Sequence, residues 1–243
     1  KAEQLFSIGS FHVTNGLFLT LIVSLILITF SYVLRSKIKM IPGKVQSAVE
    51  MGVEGLLGLM SSTLGSMAAA EKYFPLVATI FIFILFSNLL GIFPGVGSLT
   101  YNNSGGVPSG SVPLFRSPAA DLNFTLAFAI ISVIVTNIIG MASVGVFKHL
   151  GKFFNFNGPI EFFIGILELI SEIAKTISLS FRLFGNVFAG EVLLTIISFL
   201  VPYFIPLPFL FLEIFVGLIQ SFIFAMITLV SISLHTASHE ENH

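Results

Sequence analysis

The sequence predicts an all-α integral membrane protein. It has about five membrane helices and an interfacial amphipathic helix, and the last two membrane helices form a long tilted hairpin. Three observations predict this. Of the 243 residues 55% are hydrophobic and only 9% charged, where soluble domains carry about 25% charge. Long apolar runs alternate with short polar or basic breaks. One stretch, Pro159 to Val201, is apolar enough for lipid yet too long for a simple crossing. At about 1.5 Å per residue it reaches roughly 65 Å as a helix, against a hydrocarbon core of about 30 Å. Such a helix must bend, with Gly185 and Gly190 as candidate points, or lie steeply inclined.

Gly16 to Leu34 is the first span, and Arg35, Lys37, Lys39 and Lys44 follow it. That basic cluster puts this end in the cytoplasm and the N-terminus outside. Residues 42–72 mix Lys44, Gln46, Glu50 and Glu54 with Val45, Val49, Val53, Leu56 and Leu57 at helical spacing. The pattern predicts the interfacial amphipathic helix. Residues 75–93 form the second span and residues 94–120 an external loop, rich in Gly, Ser, Pro and Asn, whose one charge is Arg116. The loop's Asn102-Asn103-Ser104 matches a glycosylation acceptor, a pattern common by chance. Residues 121–147 form the third span, and Lys148, His149 and Lys152 end it on the cytoplasmic side again. Residues 159–201 rise outward, Pro202, Pro206 and Pro208 break the helix, and residues 207–234 return. The C-terminal HTASHEENH is then a solvated cytoplasmic tail. Its His235, His239 and His243 stand at the spacing of a helical metal chelate, but Glu240 and Glu241 beside them favour solvation. The whole chain reads as one polytopic domain.

Composition excludes several functions. A net charge of −1 offers nothing to nucleic acid. Without cysteine there is no disulfide or thiolate chemistry. No cleavable secretory signal is evident, and the chain begins at Lys1 rather than Met, which suggests that a little of the gene product is missing or removed.

The long segment carries the chemistry. Glu161, Glu168, Lys175 and Arg182 recur every seven residues and share one slowly drifting stripe. The same face continues through Gly185, Asn186 and Ala189, small enough for another helix to approach. Glu191 points the opposite way. Ionisable groups inside a membrane are costly and mark function by default. In the predicted hairpin one register sets Glu191 beside Glu213 near the outer surface and Arg182 beside Gln220 midway. Two facing carboxylates in a low-dielectric site would share a proton. The bland reading makes Arg182 a structural ion pair with Glu168 or Glu172. A secondary ion transporter is the rival function, but internal repeats are absent.

SFRLFGNVFAGE, Ser180 to Glu191, resembles the signature of subunit a of F-type ATP synthases, the membrane stator beside the rotor ring. FSNLLGIFPG from Phe86, the run Glu168–Lys175–Arg182, and LIQSFIFAMITLVSISL from Leu218 extend the resemblance over most of the chain. The resemblance implies that Arg182 is the essential arginine separating two aqueous half-channels. It implies that Asn186, Glu191 and Gln220 belong to the proton route, with Glu213 where other members have His or Glu. Glu168 and Lys175 match polar positions nearer the cytoplasm. Glu172 is an extra carboxylate with no assigned role, grouped here with the pathway. The implied partners are the ring of c subunits, the peripheral-stalk b subunits and the lipid bilayer. No cofactor and no metal are implied, and the subunit itself is not catalytic. The implied location is the bacterial plasma membrane, with the N-terminus outside and the C-terminus cytoplasmic, in preference to an organellar inner membrane.

Overall fold

The computed structural model describes residues 4–8, 11–92, 100–102, 111–153, 158–201 and 203–237. Among the described residues seven α-helices dominate, and five of them are long and apolar enough to cross a membrane. Two antiparallel strand pairs lie outside the helices: β1 (Gln4–Ile8) with β2 (Phe11–Thr14), and β3 (Thr100–Asn102) with β4 (Ser111–Pro113). Asn103 and Ser104 of the acceptor match, Pro202, and His239 and His243 lie outside the described residues.

The first crossing helix is α1 (Asn15–Lys37). The Thr14 hydroxyl caps it by accepting from the Leu17 amide at 3.3 Å, and Arg35 and Lys37 complement the negative end of its dipole. Helix α2 (Lys44–Leu64) is the amphipathic one and is not among the five candidate crossings. It buries Met60 against Ala70, Tyr73 and Leu229 and leaves most of its other residues exposed.

At two glycines the helix boundaries differ from expectation. Helix α2 stops at Gly65, whose φ of 75° closes the turn. Helix α3 (Met67–Ile92) then begins before Pro75 and runs through it, giving up one backbone hydrogen bond. Similarly, α4 (Leu122–Val144) ends at Gly145, φ 93°, and a separate short helix follows, α5 (Val146–Phe153).

Helix α6 (Pro159–Leu200) is continuous over 42 residues, with helical assignment unbroken at Gly185 and Gly190. Helix α7 (Pro206–Ala237) begins with Pro206 and Pro208 in its first turn, where a missing N–H costs nothing. It runs past the expected end at residue 234.

Helices α3, α4, α6 and α7 pack around Ile84, Ala129, Leu183 and Phe224. Lipid is as apolar as leucine, so packing and interhelical polar contacts hold such a bundle. Thr125 on α4 shares a hydrogen bond with Ser180 on α6 at 3.1 Å, and Ser132 on α4 with Thr228 on α7 at 2.8 Å. Asn88 Nδ2 on α3 donates to the Gly217 carbonyl on α7 at 3.1 Å. These contacts fix how α6 and α7 are turned, and so which residues reach the seam between them.

Candidate functional site

Leu179, Leu183 and Val187 form the buried stripe of α6. They turn Ser178, Arg182, Asn186 and Ala189 outward, and all four are exposed. Arg182 Nη2 donates to Ser178 Oγ at 3.3 Å. Among the described residues it makes no ion pair. Glu172 pairs instead with Lys175, whose Nζ lies 2.7 Å from Oε1. Glu168 is exposed.

One turn outward from Arg182, Asn186 Nδ2 donates to Gln220 Oε1 at 3.0 Å. Gln220 is only 2% exposed, and its Nε2 has no partner among the described residues. The expected register is therefore shifted at this level: the amide of α7 meets Asn186 rather than Arg182. At the outer level Glu213 lies on Gly190, neighbour of Glu191, so close that a Cβ there would sit 2.6 Å from Oε1. Glutamate 191 itself turns to Arg116, Nε to Oε1 at 3.2 Å. A crevice of about 220 Å³ opens here, lined by Asn186, Ala189, Gly190, Leu193, Glu213 and Val216.

Inward of Arg182, a second crevice of about 290 Å³ follows the same seam, lined by Lys175, Phe222, Met226, Ile227, Ser231 and Leu234. Arg182 lines neither. Along α6 it stands between the outer crevice, which reaches Asn186, and the inner one, which reaches Lys175.

The sequence matches the family described as ATP synthase A chain over residues 17–233. This chain belongs to that family. Subunit a of ATP synthase from Campylobacter concisus (strain 13826) is 37% identical over 225 residues, 91% of this chain and 89% of that protein. The Moorella thermoacetica subunit a is 31% identical over 239 residues, 98% of each chain. A Campylobacter jejuni (strain RM1221) subunit a is 35% identical over 225 residues.

Two polar groups escaped the sequence reading. Arg116 looked like an isolated loop charge, yet it is 16% exposed and holds Glu191 across 75 positions of sequence. Being the one cation in a Gly/Pro/Ser stretch was its only signal. His235 is the correction: it is no part of a solvated tail. Helix α7 carries it inside, where it is 4% exposed, with Nε2 3.6 Å from Glu172 Oε1. Its ring stands 5.2 Å from that of His149, which is 1% exposed. Among the described residues no three His, Asp or Glu side chains converge closely enough to hold a metal ion.

Proposed function

We propose that this chain is the membrane stator of a rotary F-type ATP synthase, passing protons between two half-channels and the carboxylates of a c-subunit ring. The observation that carries this is Arg182: exposed, without an ion pair among the described residues, and flanked along the seam by a crevice on each side. Arginine is a permanent cation. It therefore blocks proton passage along the seam without itself carrying protons. A rotor carboxylate arriving beside it is stabilised as the anion and releases its proton. Leaving for lipid, that carboxylate must be neutral again, so transport requires rotation. The membrane potential contributes about 2.3 kcal/mol per charge per 100 mV.

In this reading Glu213, Glu191 and Arg116 serve the outer crevice, Asn186 and Gln220 border the arginine, and Glu168, Lys175 and Glu172 serve the inner side. The basic ends of α1 and α5 face the cytoplasm of a bacterial plasma membrane, and peripheral-stalk b subunits hold the chain against rotor torque. Inverted vesicles carrying the whole complex test it: Arg182→Ala abolishes ATP-driven proton pumping, and Arg182→Lys nearly does. Robust pumping by either variant contradicts the proposal.

A further inference from the structure

Four helices bring polar side chains to one buried place at the inner end of the bundle: Asn137 from α4, His149 from α5, Glu172 and Lys175 from α6, and His235 from α7. Buried polar groups are normally hydrogen-bonded, and exceptions ask for an explanation. Among the described residues three atoms here lack a partner: His149 Nδ1, His235 Nδ1 and Glu172 Oε2.

The neighbours fix what those atoms are. Asn137 Nδ2 donates to the Val133 carbonyl at 2.8 Å, so its Oδ1 faces His149 Nε2 at 3.0 Å. That nitrogen must carry the hydrogen, which leaves His149 Nδ1 as a bare lone pair. His235 Nε2 lies 3.6 Å from Glu172 Oε1 and faces the carboxylate. Glu172 Oε2 is an acceptor by nature. The place is thus rich in buried acceptors and short of donors. A proton, or a water bearing one, supplies what it lacks.

The inner crevice is apolar but for Lys175 and Ser231, so these two are its polar link to the cluster. Lys175 touches Glu172 and lines the inner crevice, and Ser231, one turn before His235, lines it as well. Gly140 on α4 leaves room for both rings: a Cβ there would fall 2.7 Å from His149 Cε1 and 2.9 Å from His235 Cβ. The charges acting on His149 are His235 from α7, Glu172 and Glu168 from α6, and Lys152 from α5, while α4 contributes only the Asn137 amide. Burial, then His235 and Lys152, holds His149 below the usual imidazole range, so it takes a proton only to release it readily.

We propose that His149, His235 and Glu172 form a proton-exchange relay between the cytoplasm and the inner crevice. Local opening of the inner end admits a hydronium, which gives its proton to an imidazole Nδ1 and leaves as water, and the ring passes the proton on to Glu172 Oε2, the carboxylate oxygen that Lys175 does not hold. This rests on the proton-translocating reading above.

The test measures ATP-driven pumping in inverted vesicles holding the complete complex, with bath pH, which is cytoplasmic pH, varied from about 6 to 8.5. His149→Gln with His235→Gln should lower pumping at least fivefold and remove the pH dependence that the imidazoles impose. Glu172→Gln should lower it comparably, and Glu172→Asp should restore part of the loss. Wild-type pumping with an unchanged pH profile in the double variant overturns the relay. If Arg182→Ala, run in parallel, still pumps, the underlying reading fails instead. Should the double variant fail to assemble, nitrogen-15 histidine spectra of the wild-type complex decide, the two rings being assigned by their contact with Gly140. Exchange between neutral and cationic forms as bath pH falls from about 8 to 5 supports the relay, and rings locked in one neutral tautomer overturn it.

Discussion

Asn186 and Gln220 form an asymmetric pair, and the asymmetry can be measured. Gln220 is buried and its Oε1 has Asn186 as its one partner among the described residues, while Asn186 is exposed on α6. Asn186→Ala therefore strands a buried amide, which costs about 1–3 kcal/mol. Gln220→Leu removes the buried amide itself and leaves an exposed Asn186 free to turn elsewhere, so it costs less than about 1 kcal/mol. The double variant should match Gln220→Leu alone, so the coupling equals the whole cost of Asn186→Ala, about 1–3 kcal/mol. For a chain of this size each kcal/mol moves the midpoint by about 2–4 °C. The assay is heat-induced loss of the subunit from purified complex, beside proton pumping by the same preparations. If Gln220 serves the proton route, the double variant regains stability but not pumping. A double variant no more stable than Asn186→Ala refutes the hydrogen-bond argument. Restored pumping in it refutes the functional role of Gln220.

Other outcomes follow from the same geometry. Glu191→Gln and Arg116→Gln should each slow pumping several-fold, and the double variant should be no worse than the poorer single, because the two side chains act as one ion pair. Gly165→Ala should destabilise the chain by about 1–3 kcal/mol in thermal assays, because its Cβ would meet the Phe153 carbonyl oxygen at 2.5 Å, and backbone cannot step aside. The pH dependence of thermal stability should carry a His149 component. Its pKa is lowered, chiefly by burial, from 6.5, so below that value the unfolded state binds more protons than the folded one. The stabilisation is complete above about pH 6.5 and is lost as pH falls through it toward the lower folded value. His149→Gln should flatten that limb of the curve.

Much of the fold was legible because lipid imposes a coarse code: long apolar runs and basic breaks announce five crossings. Helix ends were less legible. Gly65 and Gly145 stop helices by adopting positive φ, whereas Gly185 and Gly190 lie within an uninterrupted one, and nothing local distinguishes the two pairs. The Arg182 face of α6 was legible from the seven-residue recurrence of Glu161, Glu168, Lys175 and Arg182 and from the small residues that continue it. Register along α7 was half legible. Glu213 reaches the level of Glu191, but Asn88 docking on Gly217 and the packing of Phe224 set the exact pairing, and those are contacts between distant parts of the chain. The His149–His235–Glu172 group was invisible for the same reason: three residues on three helices, one of them in a stretch polar enough to pass for a tail.

The central claim is that Arg182 faces a moving rotor carboxylate. The chain contains no cysteine, so single cysteines can be placed freely and cross-linked to one on the outer helix of the ring. Cysteine at Ser178, Gly185 or Ala189 should cross-link to the ring, and cysteine at Ser132 or Thr228, buried behind α6, should not. Cross-links from the buried positions, or none from the Arg182 face in an assembled and active complex, would contradict the account.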